Sequence, residues 1–301
     1  MEERTQPQLN FYDCERGKRA LDAEESIRSK RYHKKLFSRF AKAIVEYELV
    51  RENDKIAVCV SGGKDSFLMA KLFQELKRHN KIPFSLEFLC MDPGYNAENR
   101  ALIEYNARTL GIPLTIFESD IFENVVHIDS SPCYICARMR RGYLYAAAKR
   151  MGCNKIALGH HFDDVIETIV MGMLYGGQVQ TMMPKLKSSH FEGMELIRPM
   201  YLVREKDIES WRDFSGIRFL QCACKFTAQT DEHENKSMRK RVKRLIAQLA
   251  EENEVIEQNI FRSVENVNLS TIIAYKDKKG LRHNFLDEYD DIENSKETND
   301  E

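Results

Sequence analysis

KIAVCVSGGKDS, residues 55–66, is a short apolar run that leads directly into a loop with two glycines. The run KIAVCV contains β-branched residues and is bounded by polar residues, which is typical of a buried strand. A helical pattern of apolar residues follows the loop, at Phe67, Leu68, Leu72 and Leu76. A strand, a glycine loop and a helix in this order predict the first unit of a parallel α/β sheet.

The same alternation continues along the chain. Further strands are predicted at residues 84–91, 114–117, 155–158 and around 196–199, and helices at residues 97–110, 134–151 and 163–175. Alternating strands and helices predict a Rossmann-like α/β fold, in which helices cover both faces of a parallel sheet. Ligands are then expected beyond the carboxyl ends of the strands.

Four segments differ in character. Residues 1–50 are predicted to be a polar arm and a basic helix, and residues 51–224 form the α/β domain. Residues 225–286 are highly charged and carry a helical apolar stripe, so we expect a charged helical C-terminal region. The acidic residues 287–301 are expected to be a disordered tail.

The formal net charge of −1 conceals an uneven distribution. The tail 287–301 carries eight acids and one lysine, so residues 1–286 carry about six positive charges in excess. Residues 26–42 contain seven basic residues and no acid, and residues 236–244 contain six basic residues. Basic clusters of this density can neutralise the phosphates of a nucleic acid, and a solvated helix face is the alternative for each of them.

Two features indicate where the protein resides. No apolar run approaches the roughly 20 residues of a membrane helix, and the N-terminus has no apolar stretch after a basic start, as a secretory signal requires. We therefore expect a cytoplasmic protein without a membrane partner.

The loop 61–66, SGGKDS, has the properties of an anion site. Glycines allow successive backbone N–H groups to turn towards one phosphate oxygen, and the start of a helix adds its positive end. Lys64 supplies a cation, and the hydroxyls of Ser61 and Ser66 can donate further hydrogen bonds. The spacing is not that of the Walker A loop.

A second polar cluster, GHHFDD at residues 159–164, follows the predicted strand 155–158. Asp163 and Asp164 could simply cap the next helix. The functional interpretation places a carboxylate near a metal ion that accompanies a bound phosphate, and a histidine near the phosphate or the substrate.

Four of the eight cysteines form close pairs, Cys133 with Cys136 and Cys222 with Cys224. The apolar surroundings of Cys59 and Cys90 indicate core positions. In a reducing compartment close pairs are typical of metal binding or redox chemistry. Four cysteines could hold zinc, three could hold a [4Fe–4S] cluster with one iron open, and a thioredoxin-like pair is a third alternative.

SGGKDS resembles the loop of the PP-loop ATP pyrophosphatases, which cleave ATP between the α and β phosphates and adenylate a substrate. Together with residues 132–177 (PCYIC…YGG), residues 198–209 (RPMYLVREKDIE) and Cys222, the chain resembles the tRNA 2-thiocytidine synthetase group of PP-loop tRNA thiolases. The second cysteine pair departs from that group, because it is C-x-C here and C-x-x-C there.

The resemblance implies a set of roles. ATP and Mg²⁺ are expected at Ser61, Gly62, Gly63, Lys64, Asp65 and Ser66, with Asp92, Gly159, His160 and His161 as further nucleotide contacts and Lys64, Asp65 and Asp164 as catalytic residues. Cys133, Cys136 and Cys222 are expected to hold a [4Fe–4S] cluster, with Cys224 as the alternative third ligand.

The implied reaction is the transfer of sulfur onto an anticodon-loop cytidine of tRNA. The implied partners are tRNA and a sulfur donor such as a cysteine desulfurase or free sulfide. A homodimer is possible, although the sequence does not define the oligomeric state. A ligase of the lysidine synthetase type, a thiolase for another base, and a non-catalytic tRNA-binding protein with zinc are the alternatives.

Overall fold

The structure is a computed structural model that describes residues 25–119, 132–220 and 238–289. The chain divides into two units, Met1–Leu245 and Ile246–Glu301. Residues 1–24 of the predicted polar arm, the residues Cys222 and Cys224, and the tail from residue 290 onwards lie outside the described residues.

The first unit contains a six-stranded sheet. Its strands are β1 (Lys55–Cys59), β2 (Ser85–Asp92), β3 (Leu114–Glu118), β4 (Lys155–Ala157), β5 (Lys185–Lys187) and β6 (Glu195–Ile197). They lie in the order β3-β2-β1-β4-β6-β5. All neighbouring pairs are parallel except β5 with β6, which are antiparallel. The predicted parallel sheet is thus confirmed, and β5 is an edge strand that the sequence did not indicate.

Helices connect and flank these strands. They are α1 (Ser38–Glu46), preceded by a π-helical turn at His33–Phe37, then α2 (Lys64–His79), α3 (Ala97–Thr109), α4 (Pro132–Arg150), α5 (Phe162–Gly176), α6 (Glu205–Ser215) and α7 (Met238–Glu252). Their ends follow local rules. The side chain of Asn96 accepts the N–H of Asn99 and caps α3, and α5 stops at Gly177, whose φ is 58°.

Aromatic side chains join the helices to the sheet. The rings of Phe40 in α1 and Phe73 in α2 pack edge-on with their centroids 5.1 Å apart, and both side chains are fully buried. The rings of Trp211 in α6 and Phe219 stack with their centroids 6.0 Å apart, and the centroid of Phe219 lies 5.6 Å from that of Phe67 in α2. These contacts fix α2, which starts at the predicted anion loop, on both sides.

The second unit contains α8 (Ile256–Arg262) and a hairpin of β7 (Ala274–Lys276) with antiparallel β8 (Arg282–Asn284). The prediction that residues 225–286 are helical is therefore wrong for the hairpin. The reason is its turn, in which Gly280 has a φ of 82° and the carboxylate of Asp277 accepts the N–H groups of Lys279 and Leu281. In the described part of the chain no helix is long and apolar enough to cross a membrane.

Candidate active site

The candidate site lies where the strand order reverses. β1 has β2 on one side and β4 on the other. Loops that leave the carboxyl ends of β1 and β4 run to opposite faces of the sheet and leave a crevice between them, which is where ligands bind in sheets of this kind. The loop 61–63 follows β1, and the loop 158–161 follows β4.

Hydrogen bonds within the loop 61–66 hold it in a fixed conformation. Ser66 Oγ donates to the carbonyl of Gly63 at 2.9 Å and accepts the N–H of Ser61 at 3.1 Å. Gly62 has a φ of 90°, a conformation that favours glycine. Its carbonyl accepts the N–H of Leu220 at 3.1 Å, so the chain just before Cys222 is bound to the anion loop.

The cation of the loop is held by carboxylates. Lys64 Nζ lies 3.2 Å from Asp65 Oδ1 and 3.6 Å from Glu205 Oε1. The other oxygen of Glu205 pairs with Lys243 of α7. Burial alone would raise the pKa of Glu205, but the hydrogen bond and charge of Lys243 outweigh it and hold that pKa below its usual value.

The GHHFDD cluster meets the same helix start. A Cβ on Gly159 would lie 3.4 Å from the backbone of Asp65 and Ser66, so the two loops pack closely together. Asp164 Oδ2 accepts the N–H of His161 at 3.1 Å and caps α5. Its Oδ1 faces the guanidinium of Arg239 at 3.1 Å. Capping thus occupies one oxygen of Asp164 and leaves the other for ionic contacts.

Asp163 has a structural role. Its Oδ2 accepts the N–H of Glu205 at 2.6 Å, which caps α6, and Arg204 lies 3.4 Å from its Oδ1. The predicted cap of the next helix is thus formed by Asp164, whereas Asp163 caps α6 instead.

His160 is half-buried beside arginines. Burial first, and then the charge of Arg198, lower its pKa to about 4, so its imidazole is neutral at pH 7. In the described part of the chain its Nδ1 has no hydrogen-bond partner. A neutral imidazole with a free ring nitrogen can accept or donate one hydrogen bond to a ligand.

Asp92 is engaged by its own loop. Its Oδ1 accepts the N–H groups of Gly94 and Tyr95 at 2.8 and 2.6 Å, and Arg100 contacts its Oδ2 at 2.5 Å. Burial would raise the pKa of Asp92, but these donors lower it. Among the described residues, Met91 and Tyr95 line the crevice, and Asp92 does not. Asp92 instead stabilises the turn that positions Tyr95.

The crevice is a cavity of about 630 Å³. The predicted residues Ser61, Asp65, Ser66, Gly159, His160 and Asp164 line it. Lys64, Gly62, Gly63 and His161 adjoin these positions in sequence. The volume lies within the 300–1,000 Å³ range that is typical of small-molecule and cofactor sites.

Comparison with known proteins identifies the family. Residues 29–250 match the PP-loop domain. The chain is 35% identical over 240 residues to the tRNA-cytidine(32) 2-sulfurtransferase of Syntrophotalea carbinolica, a match that covers 79% of this chain and 90% of the relative. It is 35% identical to the protein of the same name from Anaeromyxobacter dehalogenans, over 79% of this chain and 80% of the relative. The chain belongs to the PP-loop family, in the group of these sulfurtransferases.

A solved structure shares the fold of this PP-loop chain. The U34-tRNA thiolase NcsA from Methanococcus maripaludis, solved with its [4Fe-4S] cluster, superposes with a TM-score of 0.59 at 21% identity. The match covers 76% of each chain. The Rossmann-like PP-loop fold predicted from the sequence is confirmed.

Several residues of this PP-loop site were not predicted. Arginines from three other segments line the cavity, namely Arg140, Arg141, Arg198 and Arg239. Glu167, one turn after Asp164 on α5, also binds Arg239, at 3.0 Å. Burial raises the pKa of Glu167. The only sequence signals for these residues were the pair at 140–141 and the basic run at 236–244.

The cysteines fall into two groups. Positions 133 and 136 lie in the first turns of α4, but their side chains, like Cys222 and Cys224, are outside the described residues. Cys59 and Cys90 are buried free thiols, as predicted, and Cys153 is a third. Burial raises the pKa of all three thiols.

Proposed function

We propose that this chain is an ATP-dependent tRNA sulfurtransferase that converts an anticodon-loop cytidine, position 32 as in the names of its relatives, into 2-thiocytidine. One observation carries the proposal. The PP-loop, the GHHFDD cluster and the helix that contains the C-x-x-C motif all border one cavity of about 630 Å³.

The residues of the loop fit ATP. The loop is already folded by the bonds of Ser66, and the start of α2 contributes its positive end to a bound pyrophosphate group. We assign Lys64 to the phosphates, and Asp65 and Asp164 to the Mg²⁺ that accompanies ATP. Mg²⁺ commonly uses one or two carboxylates together with substrate phosphates. His160, neutral and with Nδ1 free, is placed to hydrogen-bond the nucleotide or the base.

The reaction balances as two displacements. First, the C2 carbonyl oxygen of cytidine attacks the α-phosphorus, an O–P bond forms, and the bond to pyrophosphate breaks. Then a sulfur nucleophile at the oxidation level of sulfide forms the C–S bond, and the C–O bond breaks to release AMP with the former carbonyl oxygen. The proton of hydrosulfide leaves with the phosphate products. The first step activates the oxygen of the C2 carbonyl group and the second step replaces that oxygen at C2, so sulfur and ATP must meet at one place.

The cysteine positions support this arrangement. Helical periodicity places positions 133, 136 and 140 on one face of α4, and Arg140 and Leu144 on that face line the cavity. Leu220, bonded to Gly62, precedes Cys222 by two residues, so the covalent chain keeps their Cα atoms within about 7 Å. Thiolates are the usual ligands of iron–sulfur clusters. A [4Fe–4S] cluster on Cys133, Cys136 and Cys222 would supply an open iron for the incoming sulfur.

Anaerobic purification provides the first test. Visible absorption, iron and zinc content, and nucleoside mass spectrometry after incubation of tRNA with Mg²⁺–ATP and sulfide are measured on the same protein. We expect a brown protein and 2-thiocytidine. A colourless protein with one zinc per chain and no thionucleoside would refute the proposal.

Cysteine variants provide the second test. Cys133→Ala and Cys136→Ala are expected to lose the cluster absorption and thiolation while they still bind Mg²⁺–ATP. Cys153→Ala is the control, because Cys153 is a buried thiol that follows the end of α4, whereas the motif lies at its start. This variant is expected to keep both the cluster absorption and thiolation. Loss of the cluster in Cys224→Ala but not in Cys222→Ala would transfer the third ligand to Cys224.

The sulfur donor and the oligomeric state belong to the same proposal. We assign the sulfur to a cysteine desulfurase or to free sulfide, and the chain to a homodimer. Thiolation with sulfide alone, compared with thiolation with cysteine and a desulfurase, separates the two donors. Light scattering of the tRNA-free protein measures its mass.

A further inference from the structure

Arg198 is a buried cation, and the charge of Asp164 offsets only part of the effect of its burial. Its residue is only 5% exposed, and a guanidinium N–H donates to the backbone carbonyl of Met183. Its Nε is buried and has no hydrogen-bond partner among the described residues. Burial first, and the nearby charge of Arg141, lower the pKa of Arg198 to about 10.

Arg140 also has a buried guanidinium nitrogen without a partner among the described residues. Its Nε is buried in the cavity wall, and within the described ranges no hydrogen-bond acceptor reaches it. Buried charged groups are normally paired, because an unpaired one loses its hydration without compensation. Two guanidinium groups with free Nε atoms that line one cavity therefore indicate a place for an anion. Guanidinium forks match the geometry of phosphate oxygens.

This place is separate from the PP-loop. In the sheet register Ile197 of β6 pairs with Ala157 of β4, which pairs with Val58 of β1. Arg198 therefore sits level with the residue that ends β1 but two strands away. Two strand spacings amount to about 10 Å.

We propose that Arg140 and Arg198 form a second phosphate site that binds the phosphodiester group of the tRNA nucleotide to be thiolated. The identity of the anion rests on the proposed function. A base inside a folded loop becomes accessible to an enzyme when it leaves its stack, and basic residues then hold its backbone. Position 140 lies one turn after position 136 on α4, so a phosphate held there keeps its own base between the PP-loop and the cysteine motif.

The alternative source of the phosphate is ATP or AMP, and an experiment on the full-length chain separates the two. Binding of an anticodon stem–loop is measured by fluorescence anisotropy over a range of salt concentrations. One RNA is native, and the second has an uncharged methylphosphonate at the phosphate next to the target cytidine. The affinity for Mg²⁺–ATP is measured separately.

Arg140→Gln is the main variant, because Arg140 is less buried than Arg198. We expect it to weaken binding of the native RNA about tenfold and to lower the slope of log Kd against log salt by about 1. It should not weaken binding of the methylphosphonate RNA further, because the partner charge is already gone. Arg140→Lys should restore part of the loss, and Arg198→Gln should reproduce the pattern. Arg150→Gln, exposed at the end of the same helix, is the control.

The outcomes are distinct. The proposal is overturned if Arg140→Gln and the methylphosphonate weaken RNA binding independently of each other, or if Arg140→Gln does not change RNA binding. It is also overturned if Arg140→Gln weakens only the binding of Mg²⁺–ATP, which assigns the site to the nucleotide. These measurements need neither cluster nor sulfur. RNA binding with the expected coupling but without 2-thiocytidine refutes only the proposed function. Thiolation without the coupling refutes only the second phosphate site.

Discussion

Replacing Gly62 by alanine is expected to disrupt the PP-loop and the segment that leads to Cys222 together. The φ of 90° costs an alanine about 1–2 kcal/mol. Its Cβ would also lie 2.7 Å from Leu220 Cδ1 and 3.0 Å from Ile103 Cγ1. Such overpacking typically costs a further 1–3 kcal/mol. We therefore expect a loss of about 2–5 kcal/mol in the free energy of unfolding, with weaker Mg²⁺–ATP binding.

The adjacent glycine provides a matched control. Gly63 has a φ of −79°, and the nearest atom to a Cβ there is the carbonyl oxygen of Leu220 at 3.6 Å, an ordinary contact. Gly63 caps α2, so alanine costs at most about 1 kcal/mol there. Leu220→Ala in the Gly62→Ala background should recover part of the steric loss, but not the backbone strain.

Urea unfolding followed by tryptophan fluorescence measures these differences. Trp211 is the only tryptophan in the sequence, is fully buried, and stacks on Phe219, one residue before Leu220. If Gly62→Ala and Gly63→Ala differ by less than about 0.5 kcal/mol, within the range of surface substitutions, the reasoning from φ and the close contact is wrong.

Three further predictions concern burial, protonation and charge. Phe40→Ala should destabilise the protein by about 3–5 kcal/mol in urea unfolding, because Phe40 is fully buried against Phe73. Val45→Ala, at an exposed position, is the control. A loss below about 1 kcal/mol for Phe40→Ala contradicts this packing. The pKa of His160 near 4 means that the unfolded chain takes up a proton first as pH falls, so stability present above pH 6.5 is lost towards pH 4. The loss between pH 7 and pH 5 should be about 2 kcal/mol larger for the wild type than for His160→Gln, and equal pH dependences would show that His160 is not buried neutral. Arg241→Gln or Arg244→Gln, exposed on α7, should each lower the salt slope of tRNA binding by about 1, and an unchanged slope favours the solvated face.

The central sheet was predictable because its signals are local. The run 56–60 is apolar throughout, since β1 is covered on both faces, and Gly177 marks the end of α5 one residue from the predicted limit. β5 escaped prediction because its sequence, Lys-Leu-Lys, is short and polar at both ends. Its exposed edge requires no apolar pattern, and lysines at an edge are common.

The acidic and PP-loop residues of the site were predictable, whereas most of its arginines were not. SGGKDS and GHHFDD each place several polar groups within six residues. Arg198 and Arg239 reach the cavity only because β6 lies beside β4 and because Asp164 and Glu167 share one face of α5. Such contacts depend on tertiary packing, and a run such as 236–244 has the same composition whether it binds RNA, water or a carboxylate.

The position of Leu220 bears on the choice between a structural and a reactive metal site. A structural zinc site stabilises a fold wherever it joins two segments, and it needs no access to a substrate. Here the two segments that carry the cysteine pairs are the cavity-lining helix α4 and the chain that is bonded to Gly62 of the PP-loop. A group held between them borders the space where ATP is proposed to bind. Sulfur transfer requires this proximity, because the adenylated carbon and the sulfur must meet without release of the base. This proximity supports the proposed reactive centre at these cysteines over a purely structural one.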